Sequence, residues 1–145
     1  MDALKDDHDI AGLDSARPTP NQITDHQCIT KAPLPNDIDM VIHLAGIGGV
    51  RESINRPAEY WKTNVIGSQR LFEHYKDTGI LYASSSTAHE PWKNPYAMSK
   101  KSLENIAPKN SVGMRFTTVY GPGAREHMLI PRILRDDVPF IHTNH

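Results

Sequence analysis

The run Met40-Val41-Ile42-His43-Leu44-Ala45 constrains the fold more than any other feature. It is nearly continuous in apolar and β-branched residues and shows no alternation. That is the pattern of a strand covered on both faces, as inside a parallel sheet. Gly46-Ile47-Gly48-Gly49 ends it in a flexible turn.

The flanking segments alternate helix and strand patterns. Asp9 to Asp14 reads as a short strand closing in an acid. Ser15 to Asn36 is polar and proline-rich, a loop with one weak strand near Gln27 to Thr30. A helix is expected from Pro57 to Asp77, since proline suits a first helical turn. Trp61, Val65, Ser68 and Phe72 would share its buried face, with Leu71 and Tyr75 beside them. Asp77-Thr78-Gly79 stops it, with Gly79 as a left-handed cap. Ile80 to Ser84 is the next strand, and a proline-bearing loop leads to a helix from Tyr96 to Ala107, ended by Pro108. Val112 to Val119 returns to strand, Tyr120-Gly121-Pro122-Gly123 breaks it, a helix covers Glu126 to Arg135, and Val138 to His142 begins another strand. The expected fold is α/β: a partial Rossmann-like, doubly wound parallel sheet in one domain over residues 1–145.

Composition removes other classes. The 145 residues carry 16 Lys+Arg against 17 Asp+Glu, so no basic excess points to nucleic acid. Cys28 is the one cysteine and cannot form an internal disulfide, and the eight histidines make no HExxH or HxH cluster, so no metal is expected. The acidic start, Met1 to Asp7, lacks a signal peptide's apolar core. No apolar run approaches the ~20 residues that span a membrane. A cytoplasmic protein with no membrane partner is the expectation.

Four features carry chemistry. Tyr96-Ala97-Met98-Ser99-Lys100 places a tyrosine and a lysine one turn apart on one helix face. An ammonium beside a phenol favours the phenolate, which makes a general base. The same spacing also occurs as an ordinary surface pair. Ser84-Ser85-Ser86-Thr87 directly follows the Ile80 strand, and ligands in open α/β sheets bind beyond strand carboxyl ends. These hydroxyls can hold a substrate hydroxyl, or simply build a turn. Asn64 lies on the buried side of the first helix, where its amide must be bonded whether its role is structural or functional. Asp14 closes its strand where an acid either accepts from an adenosine ribose, favouring NAD over NADP, or starts a turn. Arg17 weakens that discrimination a little.

In this order the features resemble the extended short-chain dehydrogenases, the NAD-dependent epimerase/dehydratase family. Val41-Ile42-His43-Leu44-Ala45-Gly46 resembles the family's VIHLAA strand, and Thr63-Asn64-Val65-Ile66-Gly67-Ser68 its TNVxGT helix. Met114 to Pro122 resembles its LRFxxVYGP segment. Gly49-Val50-Arg51-Glu52-Ser53 and Thr118 to Pro122, followed by Arg125 and Met128, are similar to stretches of UDP-glucuronate 4-epimerases in particular. The likeness runs from about His8 to Arg132.

The resemblance implies NAD as cofactor and a nucleotide sugar as substrate. Tyr96 would be the catalytic base, Lys100 its partner and Ser85 the hydroxyl that orients substrate. Asp14, Leu44, Ala45, Gly46, Asn64, Ser84, Tyr96, Lys100, Tyr120 and Pro122 would meet the cofactor. Arg51, Ser86, Thr87 and Arg125 would meet the substrate. Sugar dehydratases of the family carry Thr-Asp-Glu where this chain has Ser85-Ser86-Thr87, which favours epimerisation at C4 through a 4-keto sugar. The helices of Asn64 and Tyr96 would pair two copies into a homodimer.

The family pattern opens with a strand and a GxxGxxG turn that grips the pyrophosphate. Here the likeness begins near Asp2 to Lys5, after that turn, and the loop from Ser85 to Tyr96 is shorter than usual. The acid usually found after the third strand is missing around Cys28 to Thr30. The expectation is a sheet lacking its first strand and a chain lacking the carboxyl-terminal substrate domain. Three readings follow: the catalytic part of an epimerase, a non-catalytic truncated remnant, and a subunit whose cofactor site a partner chain completes.

Overall fold

The computed structural model describes residues 4, 6–15, 28–124, 126 and 128–137. The chain forms two compact units, Met1–Arg115 and Phe116–His145. The first carries β1 (Met40–His43), α1 (Val50–Asn55), α2 (Pro57–Trp61), a π-helical turn (Lys62–Ile66), α3 (Gly67–His74) and β2 (Gly79–Ser85). Two short 3-10 turns, Ser86–His89 and Pro91–Lys93, lead to α4 (Pro95–Ile106) and β3 (Ser111–Phe116), whose last residue begins the second unit. The second unit holds α5 (Leu129–Leu134).

Among the described residues the three strands form one sheet in the order β1-β2-β3. β1 and β2 run parallel, with Val41 opposite Ile80 and His43 opposite Tyr82. The α/β class and the partial Rossmann-like sheet are therefore present. Val41, His43, Ile80 and Tyr82 share the face on which α3 and α4 pack. There Ile29, Leu71, Phe72, Tyr75 and Leu103 join Ile80 and Tyr82 in one core. Each fully buried aliphatic side chain contributes about 1.5–3 kcal/mol. Phe72 bridges the strands edge-on, with centroids 6.1 Å from His43 and 5.6 Å from Tyr82.

Several expectations need correction. β1 is not covered on both faces: Met40, Ile42 and Leu44 are 56, 48 and 62% exposed, because the described helices pack on the other face. The strand also stops at His43, so Leu44 and Ala45 belong to the following loop. Asp9–Asp14 is not a strand; only Gly12 makes an isolated bridge, since so short a run needs a continuous neighbour to pair with. Cys28 to Lys31 form a turn closed by bonds from the Lys31 and Ala32 amides to the Cys28 carbonyl, 2.8 and 2.9 Å. Gln27 lies outside the described residues, as does the strand expected over Val138 to His142. α1 went unforeseen, and α5 is shorter than the expected Glu126–Arg135.

The long helix is also different inside. Its middle turn widens, the Gly67 amide reaching back five residues to Lys62. A residue five back, not four, then lies beneath Val65. Tyr60 is consequently buried completely, while Trp61 turns outward and is 45% exposed. Gly79 is not a left-handed cap: the helix closes through Thr78 N–H to Tyr75 O at 3.0 Å, and Gly79 starts β2 opposite Met40.

Gly113 on β3 abuts the Tyr82 ring, and a methyl group there would run into it. Gly113→Ala should destabilise the chain by about 1–3 kcal/mol in urea unfolding, the usual cost of overpacking. Adding Tyr82→Leu should recover part of that loss, and equal losses in both variants would contradict the clash.

Candidate active site

α4 begins with a built cap. Asn94 Oδ1 accepts the Ala97 amide at 2.8 Å, and Pro95 occupies the first turn, where its missing N–H costs nothing. This start fixes Tyr96 and Lys100 one turn apart. Tyr96 is half-buried, and its ring meets that of Tyr60 edge-on at 6.1 Å. Lys100 is buried, and its Nζ donates to the Ala83 carbonyl of β2 at 2.7 Å. Burial lowers its pKa to about 8. The ammonium is thus held beneath the end of β2, one residue before Ser84.

Asn64 is also buried, inside the wide turn, and uses its whole amide. Oδ1 accepts the Ile47 N–H at 2.7 Å, while Nδ2 donates to Ile47 O and Ser99 Oγ, both at 3.0 Å. The Ile47 N–H can meet only an oxygen, which fixes the amide's orientation. Ser99 Oγ in turn donates to the Tyr96 carbonyl at 2.8 Å. One side chain thereby joins the loop after β1 to the Tyr96 helix. Ser68 Oγ donates to Asn64 O at 2.8 Å and lies 2.7 Å from His43 Nε2. With the serine proton committed, His43 donates through Nε2. Burial, then the Lys100 charge, lowers the His43 pKa to about 4, so the ring is neutral.

At the end of β2 the serines divide by face. Ser84 Oγ donates to Glu104 Oε1 at 2.6 Å, so its side chain turns toward α4. Ser85 Oγ points the other way, lies 2.9 Å from Thr87 Oγ1 and caps the next turn by accepting the Thr87 amide at 3.3 Å. Ser86 is exposed and Thr87 half-buried. Glu104 also takes two bonds from Arg115, at 2.7 and 2.6 Å.

Four residues assigned to the cofactor by resemblance, Asp14, Leu44, Ala45 and Gly46, line one cleft of about 530 Å³. Gly46 passes directly over the network: a Cβ there would lie 3.0 Å from Asn64 Oδ1 and 3.4 Å from Lys100 Nζ. The missing side chain is what lets the loop lie this close to the amide and the ammonium. The structure thus brings Gly46, Asn64 and Lys100 together, with Ser85 two residues beyond the carbonyl that Lys100 holds. Arg51 is exposed on α1. Tyr120 and Pro122 belong to the second unit and are exposed, and Arg125 lies outside the described residues. Among the described residues no cluster of His, Cys, Asp or Glu is placed to hold a metal ion, and no helix is long and apolar enough to cross a membrane. Tyr60, Ser99 and Glu104 were missed by sequence reasoning. Ser99 stands three after Tyr96, Glu104 four after Lys100, and Tyr60 four before Asn64.

The chain belongs to the NAD dependent epimerase/dehydratase family, whose sequence profile matches residues 2–137. It is 32% identical over 136 residues to a UDP-glucuronate 4-epimerase of Thermodesulfobacterium geofontis, covering 78% of this chain and 42% of that protein. The UDP-N-acetylglucosamine 4-epimerase of Methanobrevibacter ruminantium M1, solved with UDP-N-acetylmuramic acid, superposes with a TM-score of 0.78 at 25% identity, over 99% of this chain and 60% of that one. MoeE5 in complex with UDP-glucose and NAD gives 0.76 at 28% identity, over 92% and 55%. The chain spans about two-fifths of the length of the curated relative.

Two groups make stability acid-sensitive at different pH. His43 has its pKa lowered from 6.5 to about 4, so the unfolded chain binds more protons in that window and stability falls as pH drops through it. Glu104 is lowered from 4.5 to about 2, chiefly by the hydrogen bond from Arg115, against its own burial. Its contribution is complete above 4.5 and drains toward 2. The urea midpoint should therefore decline already between pH 6.5 and 4.5. His43→Gln should flatten that first decline alone, and Glu104→Gln only the second. A wild-type midpoint flat down to pH 4.5 would contradict the His43 assignment.

Proposed function

We propose that this chain carries the catalytic core of an NAD-dependent epimerase acting at C4 of a UDP-sugar. One observation carries the reading. The Gly46 loop, the end of β2 and the Tyr96-Lys100 helix are tied into one hydrogen-bonded unit beside a cleft lined by Asp14, Leu44, Ala45 and Gly46. The relatives named above include a protein solved in complex with UDP-glucose and NAD.

The residues present suit the ribose and ring parts of NAD: Asp14 is an acceptor for a ribose, Leu44, Ala45 and Gly46 line the same cleft, and Lys100 lies against Gly46. When bound, NAD would take up the C4 hydrogen with its electron pair and give it back. Ser85 would hold the C4 hydroxyl, and Tyr96 would remove its proton as the C4–H bond breaks. Lys100 would stabilise the tyrosinate. The 4-keto sugar would then present its other face, and Tyr96 would return the proton. No carboxylate stands at Ser86 or Thr87 to drive loss of water, which supports epimerisation over dehydration. Arg51 and Arg125 are proposed to meet the diphosphate end, and Tyr120 and Pro122 the nicotinamide end. Exposed Trp61, Ile66 and Met98 support a homodimer through the Asn64 and Tyr96 helices.

A second reading has the cofactor site completed by a further segment, of this polypeptide or a partner chain. It is favoured by the bare apolar residues of β1, Met40, Ile42 and Leu44.

Thermal melts with and without millimolar NAD separate the two. Under the first reading the transition is cooperative and rises with NAD. Tyr96→Phe keeps that rise and lowers epimerase turnover on UDP-sugars by about 10²-fold or more. A cooperative melt that ignores NAD would reject the first reading and leave the second.

A further inference from the structure

The loop Gly46–Gly49 is held by two side chains of one helix, and only Asn64 was suspected. The other is Tyr60. It is completely buried, and its hydroxyl lies 2.9 Å from both the Gly48 and Gly49 carbonyl oxygens. Gly49 has φ +116°, a conformation that other residues rarely adopt, and a Cβ there would stand 3.2 Å from the Tyr60 oxygen. The loop is thus shaped around the phenol. The same Tyr60 ring meets the Tyr96 ring edge-on, at 6.1 Å and 82°.

Tyr60 and Asn64 therefore do parallel work from successive turns. Asn64 holds Ile47 and reaches the Tyr96 backbone through Ser99. Tyr60 holds Gly48 and Gly49 and reaches the Tyr96 ring. The wide turn Lys62–Ile66 is what brings Tyr60, rather than Trp61, onto this face. We propose that Tyr60 is a positioning residue that sets the Gly46–Gly49 loop and the Tyr96 ring against each other, so that one side chain defines both the surface offered to the cofactor and the direction of the catalytic phenol. Its catalytic consequence rests on the epimerase reading; the mechanical part does not. Burial, with the Glu52 carboxylate adding to it, raises the Tyr60 pKa, so the hydroxyl remains a donor.

Two variants separate the contacts. Tyr60→Phe removes the hydroxyl and keeps the ring, and Tyr60→Leu removes both. Tyr75→Phe is the control, because it loses one buried bond of the same kind, to Pro35 O at 2.7 Å. Hydrogen exchange over residues 46–50 should quicken about tenfold or more in both Tyr60 variants and stay unchanged relative to α3 in the control. In chain labelled with 3-fluorotyrosine, with the Tyr96 signal assigned by Tyr96→Phe, the signal should move in Tyr60→Leu and stay nearly fixed in Tyr60→Phe. Where the chain turns over UDP-sugar, kcat should fall about tenfold in Tyr60→Phe and further in Tyr60→Leu, with KM within about twofold, the mark of misplaced reacting groups rather than weakened binding. Loop exchange that rises only in step with α3, or a Tyr96 signal indifferent to Tyr60→Leu, would overturn the proposal. Normal kcat in both variants would overturn its catalytic part. Failure of the epimerase reading looks different: no variant and no parent turns over, while exchange and fluorine signals still report on Tyr60.

Discussion

Most of the ordered first unit depends on one buried amide. Asn64 sits where water cannot reach, so each polar atom of its side chain must find a partner in the protein or cost free energy. It finds three partners in two places distant in sequence: both backbone groups of Ile47 and the hydroxyl of Ser99. None of these partners could be released without stranding another. The loop after β1 and the helix of Tyr96 are therefore not independently placed. Lys100 extends the same logic to β2 through the Ala83 carbonyl.

Charge is distributed around this amide with a clear division. The groups on its side, His43 and Lys100, are buried without a carboxylate partner among the described residues and have their pKa values lowered chiefly by that burial. The carboxylate of Glu104 stands on the other side of the β2 terminus, engaged by Arg115 and Ser84. A carboxylate beside Lys100 would hold it fully protonated and would neutralise its field.

How much of this was legible in the sequence differs from element to element. β2 and α4 were readable because an apolar run and a closing proline state their limits locally, and β1 was readable as a strand although it stops at His43. The YxxxK spacing and Asn64 were readable as candidates for the same reason. What escaped was governed by partners rather than by local pattern. Asp9–Asp14 has the composition of a strand but no continuous strand pairing. β1 has the composition of a doubly covered strand, yet its Met40 and Ile42 side is bare in the described residues. Trp61 was assigned inward on a 3.6-residue period, and one wide turn reversed it with Tyr60. Ser99 looked like an ordinary helical serine because its importance lies in Asn64, 35 positions away in the chain.

That wide turn has an evolutionary side. A π turn is a helix carrying one residue more than its neighbours require. Deleting Lys62 or Thr63 would restore a regular helix in which Tyr60, then four residues before Val65, still lies beneath it. Straightening the turn while keeping every residue is what would bring Trp61 beneath Val65 and carry Tyr60 away from the loop. The turn therefore has the form of a one-residue insertion absorbed where it stands, so that neither flank of the helix has to change the face it buries.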